Sequence, residues 1–321
     1  MASATRPDSL ARLMSRDELV MLTKRNDVTA AAHLLIRFSF HAALMSLALY
    51  VGNHFGLVWG FIVLMPHFAA SSFLGWAGIG HELFHNSVFK SRAINQFLFK
   101  AFSILTWNNY GYFQATHPYH HRHTLRPGDA EGARHPPIST LALIRLFSFD
   151  VPAFYRRVRV LALNARGIVP VGNESVPLFA EGTQARRNLV TAARWVLLVQ
   201  TGLLLGFVMA QMYWLIIAVN LAPFCVTFFN RTLAISQHYG LSSQAEGDYL
   251  ESCRTIVMHP VLAFFYANMN FHVEHHMYPS VPYYNLPRLS ERLRSRVTLK
   301  HWSAGYFQAL RLLNNLGLFR L

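Results

Sequence analysis

Cysteine is almost missing from this chain. Two occur in 321 residues, Cys225 inside an apolar run and Cys253 outside it, so neither a disulfide framework nor a thiolate metal site is available. Any metal here must be held by nitrogen and oxygen. Charge is scarce as well: 14% of residues are charged against 53% hydrophobic, about half the charged share of a soluble domain, which points to a membrane protein. Acidic residues are the rarer sign, 15 against 29 Lys and Arg, leaving a formal net charge of +14. The cations are interleaved with long apolar runs, so a charged lipid surface rather than nucleic acid is the expected partner. A signal peptide is not expected, because Arg6, Asp8, Arg12, Arg16, Asp17 and Glu18 interrupt any early apolar stretch, and the N-terminus is expected in the cytoplasm. Gly75, Gly78 and Gly80 do not make a dinucleotide fingerprint, since no strand precedes them.

What is present begins with hydrophobic runs. Residues 34–51 and 56–79 read as two spans joined by the turn 52–55, and residues 195–210 and 213–230 as two more joined by Gln211 and Met212. The expected fold class is therefore an all-α integral membrane protein with four transmembrane helices in two hairpins. Neither short turn carries a Lys or Arg, so the positive-inside rule puts the N-terminus, the long middle segment and the C-terminal third on the cytoplasmic side. Residues 9–25 read as an interfacial helix with a capping box at Ser15 and Glu18. Further amphipathic or interfacial segments are expected at 94–113, 138–163 and 255–271, a loop at 170–182, and an end of regular structure at Pro279, Pro282 and Pro287. No repeat is evident. The expectation is one domain over 1–321: a cytoplasmic segment 1–33, four spans with a cytoplasmic loop over 34–230, and a cytoplasmic cap over 231–321.

Histidine carries the chemistry. With 17 His in the chain, an HxxxH pair is expected about once by chance but an HxxHH triplet only about 0.05 times, and two triplets occur. They are His117, His120 and His121 in HPYHH and His272, His275 and His276 in HVEHH; the pair His81 and His85 lies in HELFH. On a helix, residues at i, i+3 and i+4 share one face, so each triplet is expected to converge on one point. Continuing the second span past the membrane would deliver His81 and His85. Eight imidazoles exceed the four ligands of a structural zinc and suit two ions, and imidazole alone does not choose among zinc, copper, iron and nickel. His238, just after the fourth expected span, is a ninth candidate; His123 and His135 are weaker ones. Glu82 and Glu274 are placed to hold the second ring N–H of a ligating histidine. His33, His41, His54, His67, His259 and His301 are isolated and read as packing or local hydrogen bonding. Trp107, Tyr110 and Tyr112 are candidates to line a substrate path.

HELFHN, HPYHHRH and NFHVEHHMYPSVPYYNLPRL resemble the three histidine boxes of the membrane fatty acid desaturase and hydroxylase superfamily, over about residues 56–290. The resemblance implies a non-haem di-iron centre with two iron ions cycling between Fe2+ and Fe3+, O2 as co-substrate, and His81, His85, His117, His120, His121, His272, His275 and His276 as ligands, with His238 as the extra one. It implies removal of hydrogen from an unactivated C–H bond, ending in an alkene or an alcohol. Box one has three intervening residues where acyl-CoA desaturases of the stearoyl type have four, so their tunnel does not transfer. There is no HPGG motif of a fused cytochrome b5 domain and no flavin or nicotinamide fold, so electrons are expected from a separate ferredoxin or cytochrome b5 with its reductase. The expected substrate is a fatty acyl or sphingolipid-type chain. A carotenoid or small polar metabolite would use the same chemistry, and a non-catalytic metal binder or transporter is the reading from another class; transporters, however, place polar ligands near the midplane and often show repeats.

Overall fold

A computed structural model describes residues 13–132, 137–170, 176–243 and 245–320. The first helix, α1 (Arg16–Leu22), opens on the expected capping box, with Ser15 and Glu18 satisfying each other's backbone N–H groups. Asn26 then caps α2 (Asp27–Phe55) by accepting from Val28 and Thr29. Its 29 residues, at 1.5 Å each, reach about 44 Å and outrun a hydrocarbon core. Gly56, at φ 104°, reverses the chain into α3 (Leu57–Ser71). The two helices lie close because Gly60 faces Gly52 and Ala48: a Cβ at Gly60 would sit 2.8 Å from the Ala48 carbonyl.

The helix α3 does not run on into the first histidine pair. It tightens into a 3-10 turn at Ser72–Leu74, breaks, and restarts as α4 (Ile79–Phe84), whose cap residue is His85. The break falls in the glycine run, where a Cβ at Gly78 would collide with the Phe73 carbonyl and one at Gly80 would lie 2.7 Å from that of Leu74. These glycines serve close backbone approach, which re-aims α4.

The expected segment 94–113 is two helices, α5 (Arg92–Leu105) and α6 (Tyr110–His123), hinged where Trp107 adopts φ 57°. The expected 138–163 helix is likewise α7 (Thr140–Phe147) and α8 (Val151–Ala165), parted where Phe149 bridges to Cys225. A 3-10 turn at Val176–Phe179 sits within the expected 170–182 loop and precedes α9 (Gln184–Met209).

Three stretches are long and apolar enough to cross a membrane: Asp27–Phe55, Leu57–Phe84 and Gln184–Met209. The expected fourth, 213–230, is not one helix. Tyr213–Phe224 winds through α, π and 3-10 turns, and after a break α10 (Phe228–Ser236) follows. Those 12 apolar residues reach about 18 Å at the α-helical rise, short of a hydrocarbon core. The break has a cause: Val226, at φ 50°, gives its N–H to the Ser148 carbonyl instead of an intrahelical partner.

The C-terminal third is a set of short helices: α11 (Tyr249–Ser252), α12 (Pro260–Phe265), α13 (His272–Met277), α14 (Leu286–Arg294) and α15 (Tyr306–Asn315). The expected helix over 255–271 shrinks to α12. Thr255–Ile256 instead pairs in parallel with Trp302–Ser303, and Ala267 and Asn268 take left-handed turns. A second parallel pair joins Ile138–Ser139 to Phe319–Arg320. Pro287 starts α14 rather than ending structure, at a position where its missing N–H has no intrahelical acceptor to lose. Ile79, Leu83, Phe99, Phe113, Tyr283, Leu286 and Leu289 form one buried cluster, which locks α4, α5, α6 and α14 together under the histidines.

Candidate metal centre

The nine histidines singled out from the sequence come together as two buried or half-buried groups. His81, His85, His117, His121 and His275 offer ring nitrogens all within 4.8 Å of one another, and His120, His238, His272 and His276 do the same. Neither triplet converges on a single point, as its spacing had suggested. His117 and His121 go to the first group and His120 to the second; His272 and His276 go to the second and His275 to the first. Helical rotation explains the division. Residues at i and i+4 differ by about 40°, whereas i+3 and i+4 are about 100° apart and face different sites. His238, which has no helical partner, joins from the turn after α10 and closes the four-histidine group.

The ring nitrogens oppose one another in a way that calls for a cation. His81 turns Nδ1 to the Trp76 carbonyl at 3.0 Å, so Nδ1 carries the proton and Nε2 is bare. His275 sets Nδ1 3.0 Å from Glu82 Oε1, a charge contact without hydrogen-bond alignment that places the ring's other nitrogen, Nε2, toward His81. Yet these two Nε2 atoms lie 3.0 Å apart. Nε2 of His117 stands 3.0 Å from those of both His85 and His121. In the second group, His238 gives Nδ1–H to the Ser252 carbonyl at 2.7 Å and presents Nε2 to that of His272 at 2.8 Å. Facing lone pairs repel unless they share an ion. Two nitrogens bound at about 2.1 Å and at right angles are about 3.0 Å apart, so the spacing fits adjacent ligands on one metal.

Carboxylates fix the remaining rings. His120 Nδ1 lies 2.9 Å from Asp129 Oδ2, and His117 Nδ1 lies 2.8 Å from Glu131 Oε2. Burial, the largest single influence, pushes Asp129 up, but the hydrogen bond and charge of His120 together with the backbone N–H groups of Leu125 and Gly132 outweigh it and hold the carboxyl below its ordinary value. Burial raises Glu131. Burial, followed by the charge of neighbouring imidazoles, holds His85, His117, His121, His272 and His276 well below their usual value, so these rings stay neutral as ligands must. His120 goes the other way: burial opposes its charge, and Asp129 and Glu131 overcome that.

Asp129 and Glu131 were not singled out from the sequence. Their signal was faint: a Pro127-Gly128-Asp129 turn a few residues past HPYHHRH, which reads as a solvated turn. Glu274, by contrast, makes no hydrogen bond or ion pair with an imidazole among the described residues. It is fully buried, accepts from the hydroxyls of Thr255 and Ser290, and so ties α13 to α14. His123 pairs with Glu246 at 3.1 Å, outside both groups, and His135 lies outside the described residues. His41 and His67 bond each other at 3.0 Å between α2 and α3, and His67 reaches the Ala218 carbonyl. His33 bonds Tyr283, His54 the Tyr50 carbonyl, and His259 the Val261 N–H, while His301 stands 3.8 Å from Glu251.

Beside the first group is a cavity of about 560 Å³, lined among others by Trp76 and Tyr112. Trp107 and Tyr110 do not line it: Trp107 donates to the Asn220 carbonyl, and Tyr110 packs under Lys100. Trp76 stacks on Phe113 with centroids 4.8 Å apart, and Phe113 on His117 at 4.3 Å, so two stacked rings separate the cavity from His117.

The sequence profile described as Fatty acid desaturase matches residues 57–307, well over half of the chain, from α3 to the start of α15. No curated protein matches the chain. The matched region contains all nine clustered histidines and both of the groups able to bind metal, so the chain belongs to the fatty acid desaturase family and is a membrane oxidoreductase.

Proposed function

We propose that this protein is an O2-dependent desaturase or hydroxylase of a lipid acyl chain, built on two iron ions. The observation that carries the reading is the set of Nε2 atoms opposed at 3.0 Å in the five-histidine group and at 2.8 Å in the four-histidine group. His81, His85, His117, His121 and His275 would hold one ion, and His120, His238, His272 and His276 the other. Such a pair supplies an O2-derived oxidant for an unactivated C–H bond.

The chain's own part is positional. The Trp76 and Ser252 carbonyls, Glu82, Asp129 and Glu131 hold ring Nδ1 atoms and so direct Nε2 inward. Burial of the imidazoles keeps them neutral and limits water around the reacting carbon. In this reading residues 1–321 form one domain, with the nine ligands and both termini on the cytoplasmic side of its spans. Tyr213–Phe224 completes a fourth crossing together with flanking residues, and the two electrons come from a separate ferredoxin or cytochrome b5 with its reductase.

The test is the metal-to-protein ratio of detergent-purified protein from iron-replete cells, with turnover under a reducing partner. About two irons per chain are expected, falling together with turnover in His120→Ala and His275→Ala while membrane insertion persists. One zinc per chain, failure to reconstitute with iron, and full activity in either variant would overturn the reading.

A further inference from the structure

The cavity beside Trp76 is unusual for a site that is to receive a lipid, because three guanidinium groups line it. Arg156 and Arg157 come from α8 and Arg231 from α10. Arg157 is half-buried, and its one side-chain hydrogen bond among the described residues runs from Nη1 to Asn108 Oδ1 at 2.7 Å. Neither Arg156 nor Arg231 makes a side-chain hydrogen bond, and no ion pair is formed by any of the three among the described residues. The one carboxylate among the described lining residues, Asp150, caps the Ala153 N–H at 3.1 Å, lies 3.8 Å from Arg145 and offsets part of the charge felt by Arg231. The cations sense each other, since burial and then the charges of Arg156 and Arg231 push Arg157 down to about 10 despite Tyr112.

Arg156 and Arg231 are exposed and keep water on their donors, so charge decides what the wall favours: three cations with a single carboxylate beside them favour an anion there, and half-buried Arg157 most of all. A quaternary ammonium ligand is disfavoured. The three cations would repel it, and the indole face that could receive it is already beneath Arg157, whose Cζ lies 5.7 Å from the Trp76 centroid. Part of the remaining wall, including Leu146, Val160, Leu161 and Phe224, is apolar and can carry the start of a chain, while Asn108, Asn164 and Asn230 keep another part polar.

We propose that the cavity binds the anionic end of the substrate, a carboxylate or phosphate on a single alkyl chain, with Arg157 as the central donor and Arg156 and Arg231 beside it. This rests on the reading of the paired histidine groups as the oxidising centre, because it places the polar end two stacked rings, Trp76 and Phe113, from that centre and leaves the alkyl chain to reach it. Arg157 is then a specificity-determining residue, and the substrate is an acid rather than a neutral or zwitterionic lipid.

The experiment uses the full chain in nanodiscs of zwitterionic lipid, with empty discs subtracted, and measures saturable binding of radiolabelled palmitate. Hexadecyl phosphate should compete and hexadecanol should not. Arg157→Met should weaken binding by tenfold or more, Arg231→Gln several-fold, and Arg157→Lys less than Arg157→Met, all with unchanged metal content. If anionic phospholipid in the disc also displaces palmitate, the acid is supplied as a membrane headgroup; if it does not, as a free single-chain acid. Competition by hexadecanol equal to that by hexadecyl phosphate, or unchanged binding in both Arg157→Met and Arg231→Gln, overturns the proposal. Binding is read with and without metal, so loss of the headgroup site with two irons retained sinks this inference alone, and palmitate binding without iron uptake sinks only the oxidase reading.

Discussion

Asp129 grips His120 with both carboxylate oxygens, at 3.0 and 2.9 Å from Nδ1. The same two oxygens accept the backbone N–H groups of Leu125 at 2.8 Å and Glu131 at 3.0 Å. One side chain thus orients a ring of the four-histidine group and closes the turn that delivers Glu131 to the five-histidine group. Asp129→Ala should weaken metal binding in the four-histidine group by about 10- to 100-fold, the usual cost of losing a ligand's outer partner. Metal analysis against a graded chelator should find about one ion lost well before the other. Retention of both at wild-type chelator concentrations would count against the hub role.

Gly78 gives a second test, one that leaves every ligand in place. Its added methyl would meet the Phe73 carbonyl, so Gly78→Ala must shift the start of α4 and with it His81. A displacement of about 1 Å in a catalytic constellation costs on the order of 100-fold in turnover. Gly206→Ala, which meets nothing within 4 Å, should be silent. Equal turnover in both variants would show that α4 has slack that the packing does not suggest.

Arg37 is buried in α2 and has no carboxylate partner among the described residues. It donates to the His33 carbonyl at 3.1 Å, to the Phe264 carbonyl and to Tyr283 Oη, and its Cζ sits 4.0 Å from the Phe264 ring centroid. It therefore fastens the first long helix to the chain on either side of α13. Arg37→Met would leave these acceptors without their donor and should destabilise by about 3 kcal/mol. A fall in the thermal midpoint of the nanodisc-embedded protein measures this; an unchanged midpoint would mean that the clamp contributes nothing.

Glu18 predicts an acid response far from the metal centre. Hydrogen bonding by Arg296, then by the Ser15 backbone, lowers its carboxyl from 4.5 to about 2. A depressed carboxyl stabilises above its unfolded value and loses that contribution as pH falls through the folded one. The contacts from Glu18 to Arg292 and Arg296 should therefore loosen between about pH 4.5 and 2, freeing α1 from α14. Because both native cysteines are buried, a fluorophore on Asp17→Cys can report this by anisotropy. In Glu18→Gln the probe should be mobile at every pH, and high salt should mimic acid. A flat anisotropy through that range would rule the latch out.

Local spacing made eight of the nine histidines legible, because i, i+4 geometry needs no tertiary information, while His238 was read from its position after an apolar run and from the family resemblance. The division of each triplet between two groups follows from the same rotation, yet it shows only when the 100° between His120 and His121 is weighed against the shared face. Hydropathy found α2, α3 and α9 but drew one helix through 213–230, since it sees the apolar character of Val226 and not that its N–H is committed to Ser148. Thr255–Ile256 was lost to a partner almost fifty residues away, a pairing without local signature. Asp129, Glu131 and the Trp76 carbonyl were hidden for a simpler reason: acids in a turn and backbone oxygens look alike in any sequence until a ring nitrogen is placed against them.

The shared helices have a thermodynamic consequence. α6 sends His117 and His121 to one group and His120 to the other, and α13 sends His275 to one and His272 and His276 to the other. Fixing either helix for one ion also fixes it for the next, so the ordering entropy of the second binding event is largely spent by the first. Metal uptake by the wild-type protein should then be positively coupled, each ion raising the affinity of the other group by the same factor, so that half-loaded protein builds up only where one group has been weakened, as in Asp129→Ala.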